Sequence, residues 1–108
     1  MSPLQEIIQE QLNDKDLLLF IHSPFCGTCH VAEGMLRQIE TTLKRDIFLH
    51  MNASLHESFM YSQKVESVPC LYIRKNGETK KKIYAFHSIA NILGELLEQK
   101  PELFDKMS

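Results

Sequence analysis

The spacing Cys26-Gly27-Thr28-Cys29 constrains this chain more than any other feature. It stands between a run of bulky apolar residues, Leu17 to Ile21, and an amphipathic stretch from Val31 to Leu43, a pattern that predicts buried strand, exposed turn and helix. Two cysteines at a helix start can close a small disulfide ring. The first sulfur then faces unpaired backbone N–H groups, and these donors and the helix dipole favour thiolate over thiol. A thiolate attacks disulfides and a neighbouring thiol resolves the mixed disulfide. Cys26 is therefore the candidate nucleophile, at the exposed helix start, and Cys29 the candidate resolving thiol, one turn inside.

Two other chemistries share parts of this pattern. Cys26 to His30 also spells a c-type haem attachment signature, which needs two thioethers and an axial histidine. No export segment is legible, and the apolar residues already belong to a sheet, so haem is not expected. Cys26, Cys29 and Cys70 supply three thiols for zinc, but a second C-x-x-C or C-x-x-H pair is missing. Neither metal nor organic cofactor is expected.

The stretch Ser23-Pro24-Phe25-Cys26-Gly27-Thr28-Cys29-His30, together with Val68-Pro69 and Arg74-Lys75-Asn76-Gly77-Glu78, resembles the thioredoxin-like proteins over nearly the whole chain. The resemblance implies a thioredoxin-like α/β fold, a four-stranded mixed sheet with helices on both faces, in which the Leu17 strand lies between the Ile47 and Leu71 strands. It also implies a cis bond at Val68-Pro69 that sets this backbone beside Cys26. Val68 would then offer its main chain to an extended substrate strand, with Phe25, Gly27 and Thr28 completing the substrate-contacting rim.

Length and composition agree with one domain over residues 1–108. A chain of 108 residues, 44% of them hydrophobic, buries one modest core. The formal charge of -2 gives no reason to expect nucleic acid, and no stretch reaches the roughly 20 apolar residues of a membrane span. Residues Met1 to Glu6 lack a basic segment followed by an apolar one, so a cytoplasmic location is the expectation. Three cysteines is an odd number, which fits thiols in a reducing compartment better than a structural disulfide framework.

Along the chain, Ser2, Pro3 and Gln5 predict the start of a helix with Leu4, Ile7, Ile8 and Leu12 as its apolar stripe. Leu17 to Ile21 lacks alternation, as expected of a central strand covered on both faces. The helix after the cysteines ends at Lys44-Arg45-Asp46, before a strand from Ile47 to Met51. Ser54 and Glu57 suggest a capping box for a short helix with Leu55 and Phe59 facing inward. Leu71 to Arg74, Asn76-Gly77 and Lys80 to Ala85 predict a hairpin on a type I′ turn. Ser88 caps a last helix whose apolar face is Ile89, Ile92, Leu93, Leu96 and Leu97, and residues 102–108 form a further turn or fray.

The remaining polar features each allow two readings. Protonated His30 would favour the Cys26 thiolate by charge, or it is a solvated helix residue. His22 lines the groove or marks where burial stops. Cys70 is a third thiol near the redox pair or a small core residue. Lys80-Lys81-Lys82 with Arg74 and Lys75 attracts acidic partners or, as the favoured reading, protects a sheet edge.

Departures from thioredoxins narrow the expected chemistry. Phe25 and Thr28 stand at tryptophan and proline positions of the family's active-site motif, which implies a less reducing couple. Where those proteins place a buried acid and its lysine partner, this chain has Phe20 and Phe48, and Ala85 replaces a groove glycine. The resolving proton then leaves through water or an exposed group such as His30. The expected function is exchange of disulfides with disulfide-containing proteins or low-molecular-weight disulfides, maintained by a reductase or thiol electron donor. The competing expectations are a weakly redox or non-catalytic binding module, and a dedicated partner of one peroxidase or thiol system.

Overall fold

Leu17, Leu18, Leu19, Phe20 and Ile21 are all buried because the strand they form, β2 (Leu17–His22), is the middle of a five-stranded sheet. The computed structural model describes residues 4–104. Its order is β1(Gln5–Glu6), β2, α1(Gly27–Leu43), β3(Leu49–Asn52), α2(Glu57–Ser62), β4(Cys70–Lys75), β5(Glu78–Ile83) and α3(Ile89–Gln99), with short 3₁₀ segments between or after them. The strands lie β1-β3-β2-β4-β5. β1, β3 and β2 run parallel, whereas β4 runs antiparallel to both β2 and β5.

Pleating divides the core into two layers. Leu18 and Phe20 point to the face covered by α1 and α3, where Cys29, Ala32, Leu36, Ile39, Phe48, Ile92 and Leu96 close the packing. Leu17, Leu19 and Ile21 point the other way, toward Phe59 of α2 with Leu12, Met51, Val65, Cys70 and Tyr72. The expected thioredoxin-like α/β architecture with helices on both faces is therefore present, with five strands rather than four.

The extra strand replaces the expected first helix. Leu4 and Ile7 are buried in opposite core layers, an odd separation that suits a strand and not one helical stripe. The edge of β3 captures this segment: Gln5 and Glu6 pair with Leu49 and His50, and Ile7 N–H donates to the His50 carbonyl at 2.9 Å. Ile8 is left exposed, and a 3₁₀ turn from Gln9 to Asn13 then buries Leu12. The expected cap at Ser2 and Pro3 lies outside the described residues.

Elsewhere the local signals hold with shifted edges. Asn76 and Gly77 both take positive φ, 55° and 80°, as a type I′ turn requires, and the strands leave it in register at Lys75 and Glu78. Ser88 Oγ accepts the Asn91 N–H at 3.0 Å and starts α3. Leu97, however, is half exposed rather than part of the buried face. Ser54 does not cap α2. Asn52 Oδ1 accepts both the Ser54 N–H and hydroxyl, making a separate 3₁₀ turn that turns Leu55 out to solvent, while Phe59 is buried as expected.

Two buried charged groups secure chain entries. Arg74 donates to the carbonyls of Leu12 and Asp14 at 2.8 and 3.0 Å and to the Tyr72 hydroxyl, while its guanidinium lies 6.0 Å from the Phe59 ring centre. Glu40, 7% exposed, accepts the Ile47 and Phe48 N–H groups at 2.7 and 2.9 Å through one carboxylate oxygen. Glu40→Leu removes both charge-assisted bonds and strands two donors. Urea unfolding should show a loss of about 2–4 kcal/mol, whereas an effect under about 0.5 kcal/mol would mean that water replaces the carboxylate freely.

Candidate active site

The cysteines sit where β2 ends and α1 begins, at the carboxyl edge of the central strand, a common ligand position in open α/β sheets. Ser23 opens the turn: its carbonyl accepts the Cys26 N–H at 3.3 Å and its hydroxyl the Phe25 N–H at 3.5 Å. Cys26 is the N-cap of α1, with extended backbone, and its sulfur accepts the Cys29 N–H at 3.2 Å. The Thr28 hydroxyl lies 3.4 Å from the same sulfur. Cys26 and Cys29 are joined as a disulfide with their Cα atoms 5.2 Å apart. Cys26 is half-buried and Cys29 is 4% exposed.

These contacts divide the two sulfurs chemically. Cys26 caps α1 and keeps access to solvent. Cys29 is enclosed in the apolar layer that holds Phe20, Ala32 and Leu36.

Around the pair, Phe25 is 96% exposed and presents its ring to solvent, and Gly27 and Thr28 are also exposed. Val68 packs against the same layer as Cys26 and Cys29, and the Val68-Pro69 bond is cis, as the resemblance implied. His30 is exposed on α1. A cleft of about 770 Å³ lies on the other side of the sheet, under α2, lined by Ser54, Ser58 and Arg74 among others, and the cysteines do not border it.

The pleat places Cys70 across the sheet from the cysteine pair. It is fully buried in the α2 layer, whereas Cys29 lies in the α1 layer. Burial pushes its thiol up to about 12, with Lys82 and a hydrogen bond to Tyr84 pulling weakly the other way. It is a core cysteine.

Histidines 22 and 50 form a pair that the local sequence pattern did not announce. His22 Nε2 and His50 Nδ1 are 2.9 Å apart, and the His22 ring stacks on Phe20 at 5.6 Å. Burial and then His50 hold His22 below the usual histidine value, against opposing pulls from Glu33 and Glu6. The available signal was strand register. The Leu17 and Ile47 strands each carry one histidine near their apolar end, and parallel pairing brings them together.

Among the described residues no group of three or more metal-binding side chains is clustered, and no helix is long and apolar enough to cross a membrane.

A parallel-to-antiparallel sheet with a helix-capping dithiol and a neighbouring cis-proline defines a thioredoxin-fold domain of the dithiol kind. Comparison with known proteins agrees. The thioredoxin family model matches residues 3–97. The chain is 37% identical over 100 residues to the thioredoxin-like protein YusE of Bacillus subtilis, covering 93% of each. Its fold is similar to a mutant thioredoxin from Halobacterium salinarum, with a TM-score of 0.72 at 15% identity over 91% of this chain and 90% of that one. It is likewise similar to oxidised mitochondrial thioredoxin 3 from Saccharomyces cerevisiae, with a TM-score of 0.71 at 12% identity over 88% and 94%. The chain belongs to the thioredoxin family, whose members are thiol-disulfide oxidoreductases, and its close Cys26–Cys29 pair fits that function.

Proposed function

We propose that this protein exchanges disulfides with disulfide-containing proteins or low-molecular-weight disulfides, using Cys26 as nucleophile and Cys29 as resolving thiol. The observation that carries this reading is the asymmetry of the pair: one sulfur capping α1 with access to solvent, the other enclosed beneath it. Cys26 thiolate attacks one sulfur of the substrate disulfide and expels the other as a thiolate. Cys29, once deprotonated, attacks Cys26 and expels the second substrate sulfur, leaving the internal disulfide. Two electrons pass to the substrate. A reductase or dithiol donor returns them.

Phe25, Gly27 and Thr28 contact the substrate around the leaving sulfur, and the exposed Phe25 ring supports an apolar footing for it. Val68, held before Pro69, pairs its main chain with an extended substrate segment, so recognition depends little on substrate side chains. A cytoplasmic setting is part of this proposal. His30 acts on the Cys26 thiolate through charge alone, as an exposed modulator.

The test is iodoacetamide labelling of the reduced protein across a pH series, read by mass spectrometry. Cys26 should label first, and at a lower pH than either other thiol. Cys70, pushed up to about 12, should stay unlabelled while the fold is intact. Faster labelling of Cys29 or Cys70 near neutral pH would overturn the assignment.

A further inference from the structure

Resolution requires Cys29 to lose a proton within the apolar layer it shares with Phe20, Ala32, Leu36 and Phe48. The buried acid on this side, Glu40, stands eleven residues along α1, about 16 Å away by helix rise, and its oxygen is already committed to Ile47 and Phe48. Among the described titratable groups, His22 stacks on Phe20 of this layer and His50 is bonded to it.

The geometry points to His22 and His50 as a proton-accepting pair for Cys29. This rests on the oxidoreductase reading above. His22 extends the β2 face that holds Phe20, stacked on that ring, and Phe20 itself packs in the Cys29 layer. From α1, His30 and Glu33 bear electrostatically on His22, and they follow Cys29 by one and four positions. His22 closes β2 four residues before Cys26, so the imidazole lies at the strand end that leads into the turn carrying the cysteine pair. From β1, Glu6 also faces it, and from β3, His50. Glu33 and Glu6 favour proton uptake, whereas His50, His30 and burial oppose it. With burial the largest influence, His22 is mainly neutral at pH 7, the form able to accept a proton.

The nitrogen bonded to His50 is Nε2, which leaves Nδ1 of His22 to take the Cys29 proton, directly or through one water. Transfer of the Nε2 proton to His50 Nδ1 passes the charge outward, and His50 Nε2 then releases a proton to solvent. His50 is paired in register with the exposed Glu6 on the outer strand β1, so the relay ends at the surface. No proton is lost from the balance: Cys29 gives one up, Cys26–Cys29 forms, and the expelled substrate thiolate takes one from water.

The experiment separates attack from resolution. Reduced protein is mixed with dithiobis(nitrobenzoate) in a stopped-flow instrument. The first thionitrobenzoate released reports attack by Cys26, and the second reports resolution by Cys29. His22→Phe, which keeps the stack on Phe20, and His50→Gln, which keeps a hydrogen-bond partner, are compared with the parent. Both variants should leave the first phase within twofold and slow the second at least tenfold at pH 7. The deficit should shrink to within threefold by pH 9.5, where hydroxide can take the proton without the imidazole pair, and added imidazole should restore much of the lost rate. In the parent, the second phase should weaken in the acid range below the usual histidine value, as His22 becomes protonated. Second phases within twofold of the parent at pH 7 would overturn the proposal. So would an equal slowing at every pH with no imidazole rescue, which would assign the pair a packing role. A parent that releases no second thionitrobenzoate would instead remove the oxidoreductase reading.

Discussion

Cys29→Ser is expected to convert this protein into a trap. The Cys26 thiolate still attacks, because its stabilisation comes from the start of α1, where the Cys29 backbone N–H donates to its sulfur regardless of the side chain at that position. The serine hydroxyl cannot displace the substrate sulfur, so mixed disulfides accumulate. Cys26→Ser removes the attack itself and should lower insulin-type disulfide reduction by roughly a thousandfold or more, the order expected when a covalent nucleophile is lost. Cys70→Ala should change exchange little, since that thiol lies in the opposite layer of the core. Cell extract passed over immobilised Cys29→Ser, with release by dithiothreitol and mass spectrometry of the eluate, reads the outcome. If nothing is released while Cys26 remains fully alkylatable, the groove serves binding without exchange.

Much of this site was legible because it is built from short-range features. An unbroken apolar run, Leu17 to Ile21, needs cover on both faces, and the two core layers supply it. The turn of Ser23 to Cys26 and the cap of α1 are set by neighbouring residues, so the positions of the two sulfurs at the start of α1 could be read from spacing. Asn76-Gly77 and Ser88 worked for the same reason. The Val68-Pro69 isomer came through family resemblance, because an X-Pro pair alone permits both forms.

What stayed hidden depends on contacts distant in sequence. Leu4, Ile7 and Ile8 are compatible with a helical stripe, and only the free edge of β3 makes a strand the better solution. Leu55 is a local exception: it lost its expected burial when Asn52, three positions earlier, captured Ser54 and reset the turn. The His22–His50 contact requires two strands in one register, which places Phe20 opposite His50 and His22 opposite Asn52. Single-residue inspection of either histidine shows only a polar residue near the end of an apolar segment.

The pair of aromatics in the α1 layer leads to the second large effect. Phe20 is fully buried, and its ring meets His22 at 5.6 Å and Phe86 edge-on at 6.0 Å. Phe48 is 1% exposed in the same layer, so the two positions form one apolar unit. Phe20→Asp would remove the ring and put a carboxyl where no described cation lies in the packing. Truncation of a buried phenylalanine alone costs about 3–5 kcal/mol, and the introduced acid must either remain protonated or stay charged without a partner. A loss of at least about 4 kcal/mol is expected, a large share of the roughly 5–15 kcal/mol that holds a domain folded. At this chain length it should lower the midpoint by about 15 °C or more. Burial raises the introduced acid above its unfolded value, so the folded state binds the extra proton more tightly. The deficit should therefore grow as pH rises from about 4 toward the raised folded value. Phe20→Leu serves as the volume control and should lose much less, with little pH dependence. Adding Phe48→Lys to Phe20→Asp should recover part of the loss by supplying the missing cation within the same layer. Thermal and urea melts of all four proteins at pH 5 and pH 8 decide the matter: a Phe20→Asp protein within about 1 kcal/mol of the parent would show that this layer opens to water beneath the cysteines.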